Sequence, residues 1–327
     1  MIARREFIAG LGSAAAWSVA ARAQQRPIPL IGFVSAGSAD AEVHYVAAFR
    51  KGLSETGYVE GQNVTVEHHW LEGQFDRLPG LMADLVRRRV AVIATGTAAA
   101  AIEAKGATAT IPIVFGVGDD PVKLGLVASL ARPGGNVTGV NFFAREVNSK
   151  RLAFLHELVP EAVSITVLVN PGNPTIAEAT LRDVQEATRV IGLQVHVLKA
   201  STSREIDAAF ATFELERTDA LFVAPDAFFG SRRVQFATLA AHHRIPAAYS
   251  IRDYVAVGGL MSYGTDVADR WRQVGVYAGK ILKDARPAEL PVVQSTKIGL
   301  AINLTTAKAL GLTIPETLLA TADEVIQ

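Results

Sequence analysis

The chain has 327 residues, 32 Lys/Arg against 32 Asp/Glu, a composition that is 50% hydrophobic, and no cysteine. So even a charge balance gives no electrostatic footprint for nucleic acid or an anionic membrane surface, and without cysteine there is no disulfide, thiolate nucleophile or zinc–sulfur site. The length is enough for two lobes with separate cores.

The chain begins with an export pattern. Arg4-Arg5 and Glu6 precede an uncharged run, Phe7–Ala21, of 15 residues. That is short of the roughly 20 residues that span a bilayer. Ala21-Arg22-Ala23 then supplies the small-x-small site of a signal peptidase. Paired arginines followed by Phe7 point to the twin-arginine (Tat) route, with cleavage after Ala23 and a periplasmic mature protein. No cysteine stands at the cleavage site to carry a lipid anchor. The first 23 residues hold three of the basic and one of the acidic side chains, so the remaining 304 have a net charge near −2. No later uncharged stretch approaches membrane-spanning length.

From Pro29 onward, β-branched apolar runs alternate with segments of helical period. Five strands are predicted at Pro29–Ser35, Val64–Trp70, Val90–Gly96, Ile111–Val117 and Val137–Asn141. Five more follow at Ile165–Asn170, Leu193–Leu198, Ala220–Pro225, Ile245–Ser250 and Leu260–Tyr263. Most are continuous Val/Ile/Leu runs, as strands covered on both faces of a parallel sheet require. Helices are predicted at Ala41–Thr56, Val147–Val159 and Val267–Leu282, among others. Regular strand–helix alternation gives an α/β fold of doubly wound type. The pattern pauses at Asn141–Asn148 and restarts, which divides it into five plus five strands with a cleft between. The expected lobes are 24–142 with about 265–284, and 143–264 with about 285–327. No internal sequence repeat supports the division independently.

In open parallel sheets, ligands bind beyond the carboxyl ends of the strands. That rule selects Ser35 and Ser38 after the first strand, and Thr95, Gly96 and Thr97 after the third. Backbone amides and hydroxyls there suit a small carboxylate, although Thr97 equally suits a helix cap. After the fourth strand, Asp119-Asp120-Pro121 reads as a helix start that employs one carboxylate and leaves the other for a ligand ammonium. Asp226 after the eighth strand is a second candidate ammonium partner, with Phe228 as an apolar wall; capping and core packing are the competing roles. Asn170 begins the Asn-Pro-Gly-Asn-Pro segment at a further strand end. The chain has no GxxxxGK[ST], HExxH or GxSxG motif and no correctly placed GxGxxG. His68-His69 and His242-His243 are neighbours that do not share a strand face, so no metal or other cofactor is expected. Binding therefore outranks catalysis.

Four stretches together resemble a known family: Arg50–Asn63, Asp119–Val140, the segment 170–174 and Gly258–Gly264. The chain resembles the ABC-transporter substrate-binding proteins related to the tryptophan/phenylalanine-binding component TrpX. The resemblance implies a type I periplasmic-binding-protein fold, with two doubly wound parallel-sheet lobes joined by a three-stranded hinge. It implies an amino-acid-like ligand held at the hinge and delivered to an inner-membrane permease with a cytoplasmic ATPase. Carried over by position, Ser35, Ser38, Thr95, Thr97, Asp119, Asn141, Asn170, Asp226 and Tyr263 face that cleft. Members close to the aromatic-amino-acid binders tend to carry an amide where this chain has Asp226. A monomer is expected. The alternatives are the same fold holding an aromatic carboxylate or nucleoside, and a periplasmic enzyme using Asp119, Asp120 and Asp226 as acid–base groups. Replacing Arg4 and Arg5 by Lys is expected to leave uncleaved precursor in the cytoplasm, scored by fractionation and immunoblotting. Normal cleavage would assign export to the general secretory route.

Overall fold

The computed structural model describes residues 27–142, 144–216, 218–295 and 297–327; the expected export signal, 1–23, lies outside the described residues. Continuous apolar runs become strands because both faces of each sheet are covered. Along the first half run β1 (Leu30–Ser35), α1 (Val43–Glu55), β2 (Thr65–Trp70), α2 (Leu78–Arg87), β3 (Val92–Thr95), α3 (Ala98–Ala107), β4 (Ile113–Val117) and β5 (Val137–Phe142). The second half continues with α4 (Ala144–Leu158), β6 (Ser164–Val169), α5 (Pro174–Ile191), β7 (Gln194–Lys199), α6 (Ser203–Glu216) and β8 (Ala220–Val223). Then come α7 (Ala227–Ser231), α8 (Arg233–His242), β9 (Ala247–Tyr249), α9 (Asp253–Ala256), β10 (Met261–Thr265) and α10 (Val267–Leu282). The chain ends with β11 (Val293–Ser295), β12 (Ile298–Asn303), α11 (Leu304–Ala309), α12 (Glu316–Thr321) and β13 (Glu324–Ile326). The turn region after Pro121 forms no helix, contrary to the expected start there.

Two sheets result, in the orders β11-β5-β4-β3-β1-β2 and β13-β12-β10-β9-β8-β6-β7. All pairs are parallel except β10 with β12. The five strands β1–β5 and the five strands β6–β10 take the same spatial order, second-first-third-fourth-fifth. The duplication that the residues do not display is therefore present in the topology.

On the first sheet, Ile31, Phe33, Val92 and Val140 face α1 and α10, while Val34, Ile93 and Phe115 face α2 and α3. On the second, Val167, Phe222 and Ile302 face α4 and α5, while Leu168, Leu221 and Val223 face α6 and α8. The chain crosses between the sheets three times: from β5 to α4, from β10 to α10, and from β11 to β12. This is the expected two-lobed α/β architecture. One boundary moves. The segment 285–295, expected with the second lobe, completes the first: β11 pairs with β5, Thr138 Oγ1 donates to the Leu290 carbonyl at 2.7 Å, and Tyr277 OH donates to that of Pro291 at 2.6 Å.

Helix α10 lies directly on α1. A Cβ on Gly52 would stand 1.9 Å from the Arg272 carbonyl oxygen, and one on Gly275 would stand 2.2 Å from that of Phe49. Backbone meets backbone there, so no flexible side chain can yield. Next to this contact, Trp271 is 1% exposed and stacks on Phe33 at 4.3 Å, an aromatic pair worth about 0.5–1.5 kcal/mol beyond its burial. Gly275→Ala is expected to force the helices apart and destabilise by about 1–3 kcal/mol, read from chemical denaturation. Unchanged stability would show that the helices separate without loss of packing.

Candidate functional site

Residues beyond the carboxyl ends of the two sheets touch one another. Tyr45 OH, at the start of α1, donates to Asp253 Oδ2 at 3.1 Å, and His44 Nε2 lies 2.9 Å from the same oxygen. Asp253 begins α9 on the other lobe. Further along, a Cβ added to Gly73 after β2 would sit 3.5 Å from Phe228 Cβ after β8. Phe228 thus stands against lobe one, with the Arg232 guanidinium 5.5 Å from its ring centre.

On lobe one, the loop after β1 is held by its own side chains. Ser35 Oγ donates to Glu42 Oε2 at 2.6 Å, and the Ser38 carbonyl accepts from the Glu42 N–H at 3.2 Å. Burial pushes the Glu42 acid group up, partly offset by the Ser35 hydrogen bond and the nearby Arg270. Thr95, at the end of β3, is fully buried, and its Oγ1 has no hydrogen-bond partner among the described residues. Gly96 is a packing position: a Cβ there would lie 2.5 Å from Trp271 Cζ2. Thr97 caps α3, accepting the Ala100 N–H at 3.3 Å. Its hydroxyl proton is still available to donate.

After β4 the two acids divide. Asp120 accepts the Val122 and Lys123 N–H groups at 2.9 and 3.3 Å and is exposed. Asp119 is half-buried, and its Oδ2 is buried with no partner among the described residues. Burial, and after it the neighbouring Asp183 carboxylate on α5, raise its acid group above the ordinary value. Asn141 Nδ2 fixes the loop by donating to the Val117 and Asp119 carbonyls at 3.1 and 2.7 Å.

Lobe two answers differently. Asp226 caps α7 through the Phe229 N–H at 3.2 Å and also accepts from Asn170 Nδ2 at 3.0 Å and Asn173 Nδ2 at 3.3 Å. Burial raises its acid group while these donors pull it back. Its oxygens are therefore already engaged, and Asn170 is spent on holding them. Tyr263 packs edge-to-face on Phe154 at 5.0 Å, beneath α4.

Several polar groups were absent from the sequence expectations: Glu42, Tyr45, Asp253, Arg270 and Arg151. Arg270, one turn into α10, lies 5.2 Å from the Phe142 ring centre, and its buried Nε has no partner among the described residues. Arg151 had a readable signal. It stands four residues from both Val147 and Leu155, on the apolar face of α4. No group of three or more His, Asp or Glu suited to a metal occurs among the described residues, and no helix among them is long and apolar enough to cross a membrane.

Comparison with known proteins gives the family and the fold. The family described as ABC transporter substrate binding protein matches residues 27–326. A curated relative from Clostridioides difficile (strain R20291), named "Tyrosine-binding protein", is 27% identical over 264 residues, which is 80% of this chain and 75% of the relative. The solved structure of an ABC domain from Streptococcus pneumonia in complex with L-Trp superposes with a TM-score of 0.80 at 26% identity, covering 92% of this chain and 100% of that one. A conserved domain protein from Vibrio cholerae O1 biovar El Tor gives 0.81 at 26% identity, covering 91% and 100%.

Among the described residues, Asp253 ties both His44 and Tyr45 to the opposite lobe, so its removal shifts the population toward separated lobes. Asp253→Ala is expected to enlarge the ligand-free radius of gyration in small-angle scattering. Identical scattering from parent and variant would show that these bonds do not hold the lobes together.

Proposed function

The chain belongs to the ABC transporter substrate-binding proteins, and from that premise we propose that it captures an amino-acid-like ligand, aromatic in its side chain, between the two lobes. The mature protein works as a monomer in the periplasm and hands its ligand to an inner-membrane permease driven by a cytoplasmic ATPase. Relatives support the ligand class: one is named for tyrosine and another is solved with L-Trp.

The observation that carries the ligand's amine is the buried Asp119 Oδ2, without a partner among the described residues, beside Asp183 of the other lobe. An ammonium there would satisfy the carboxylate and relieve its repulsion from Asp183. Asp226 is the poorer partner, because three donors already occupy it. The hydroxyls of Thr95 and Thr97 supply neutral donors close by, and Phe228 supplies an apolar wall.

Calorimetry with L-tryptophan and L-tyrosine is expected to show binding, and their deaminated analogues are expected to bind poorly. Losing a buried charge partner costs about 2–5 kcal/mol, so Asp119→Asn is expected to weaken the amino acids by about 30-fold or more and leave the deaminated acids little changed. Equal binding of amine-bearing and deaminated forms to the parent would remove the ammonium from the site. The stability effect has the opposite sign. The raised acid group makes ionised Asp119 a cost that is absent below its ordinary pKa and present above the raised one. Near neutral pH, Asp119→Asn is therefore expected not to lower the ligand-free melting temperature.

A further inference from the structure

Arg151 is 0% exposed, among the largest fully buried side chains of the protein. Its guanidinium lies 4.5 Å from the ring centre of Phe222 on β8. One amino group, Nη2, donates to Asn148 Oδ1, and Asn148 Nδ2 in turn donates to Asp183 Oδ2 at 3.0 Å. The amide therefore stands between the arginine and that acid. Nε and Nη1 are buried and have no hydrogen-bond partner among the described residues. Tyr249 OH is also buried with no partner among the described residues, its ring stacked on Tyr254 at 4.3 Å.

An uncompensated buried cation is expensive, and two open N–H positions add to the cost. Asp183, the acid at the end of these hydrogen bonds, is also the acid that acts on Asp119 of lobe one. Arg151 acts electrostatically on Tyr254, which also feels Asp226 and, from the opposite lobe, Tyr45. Burial lowers the guanidinium to about 9, so it is still a cation at neutral pH. An anion placed against it would be held by charge and by both free N–H groups. The guanidinium is fully buried, so an anion can enter only when its cover opens.

We propose that Arg151 is the receptor for the ligand's carboxylate, held in lobe two while Asp119 of lobe one takes the ammonium. The assignment rests on the amino-acid reading above and gives the ligand a direction across the cleft. It is the reverse of the arrangement in which the start of α3 takes the carboxylate and Asp226 the amine.

The test compares L-tryptophan and L-tyrosine with L-tryptophanamide and L-tyrosinamide, which keep the amine and lose the anion. Indole-3-propionate is the arm without an amine. Calorimetry on the parent is expected to favour the acids over the amides by about 30-fold or more. Arg151→Met, similar in length and uncharged, is expected to abolish that preference while the ligand-free protein unfolds at an equal or higher temperature. Arg151→Lys keeps the charge but not the fork, and is expected to weaken the acids about tenfold while still favouring them over the amides. Should the Met variant fail to fold, the Lys variant decides the matter, and an unchanged preference there overturns the proposal. Acids and amides binding the parent equally would overturn it too, while leaving the amino-acid reading intact. Indole-3-propionate binding as well as L-tryptophan would sink the amino-acid reading and keep Arg151. No binding by any of the carboxylates would overturn both.

Discussion

Helix α10 can lie on α1 because Gly52 and Gly275 leave room for carbonyl oxygens that a Cβ would strike. Much of the interlobe edge follows from that contact. It returns the chain from the end of β10 to lobe one and delivers Trp271 beneath Gly96 and Arg270 beside Glu42. It also seats α1, whose first turn presents His44 and Tyr45 to Asp253 on the opposite lobe. The helix contact thereby fixes the edge of lobe one against which lobe two rests.

The polar groups at the two edges fall into satisfied and unsatisfied sets. Ser35 and Glu42 satisfy each other, and Asp226 is satisfied by Asn170, Asn173 and a backbone N–H. Thr95 Oγ1, Asp119 Oδ2 and two nitrogens of Arg151 have no partner among the described residues. Each buried unpaired polar group costs about 1–3 kcal/mol, more if charged. A fold whose cores are dense and aromatic tolerates that loss. In the proposed site the deficit is recovered when a zwitterion brings complementary groups, which couples binding to the approach of the lobes.

The architecture was largely legible because strands covered on both faces must be apolar throughout, and runs such as Ile165–Asn170 leave little else to read. The last part of the chain was not. β11 has three residues in a segment rich in proline, and nothing local says that it pairs with β5, some 150 positions earlier. The shared strand order of the lobes was also invisible, since burial demands only apolar character and many sequences meet it. At the site, Asp119 and Asp226 look alike in sequence, each an acid after a buried strand. What separates them is long-range: Asn170 and Asn173 reach Asp226, whereas no described residue reaches Asp119 Oδ2. Arg151 was readable, since a charge on the apolar face of a helix requires an explanation.

The most direct measurement is a crystal structure of the mature protein grown with L-tryptophan or L-tyrosine. The proposed site puts the ligand between the carboxyl edges of the two sheets, with its ammonium within hydrogen-bond distance of Asp119 Oδ2 and its carboxylate on Arg151. A ligand lying in the cleft with its ammonium on Asp226, or bound outside the cleft altogether, would contradict it.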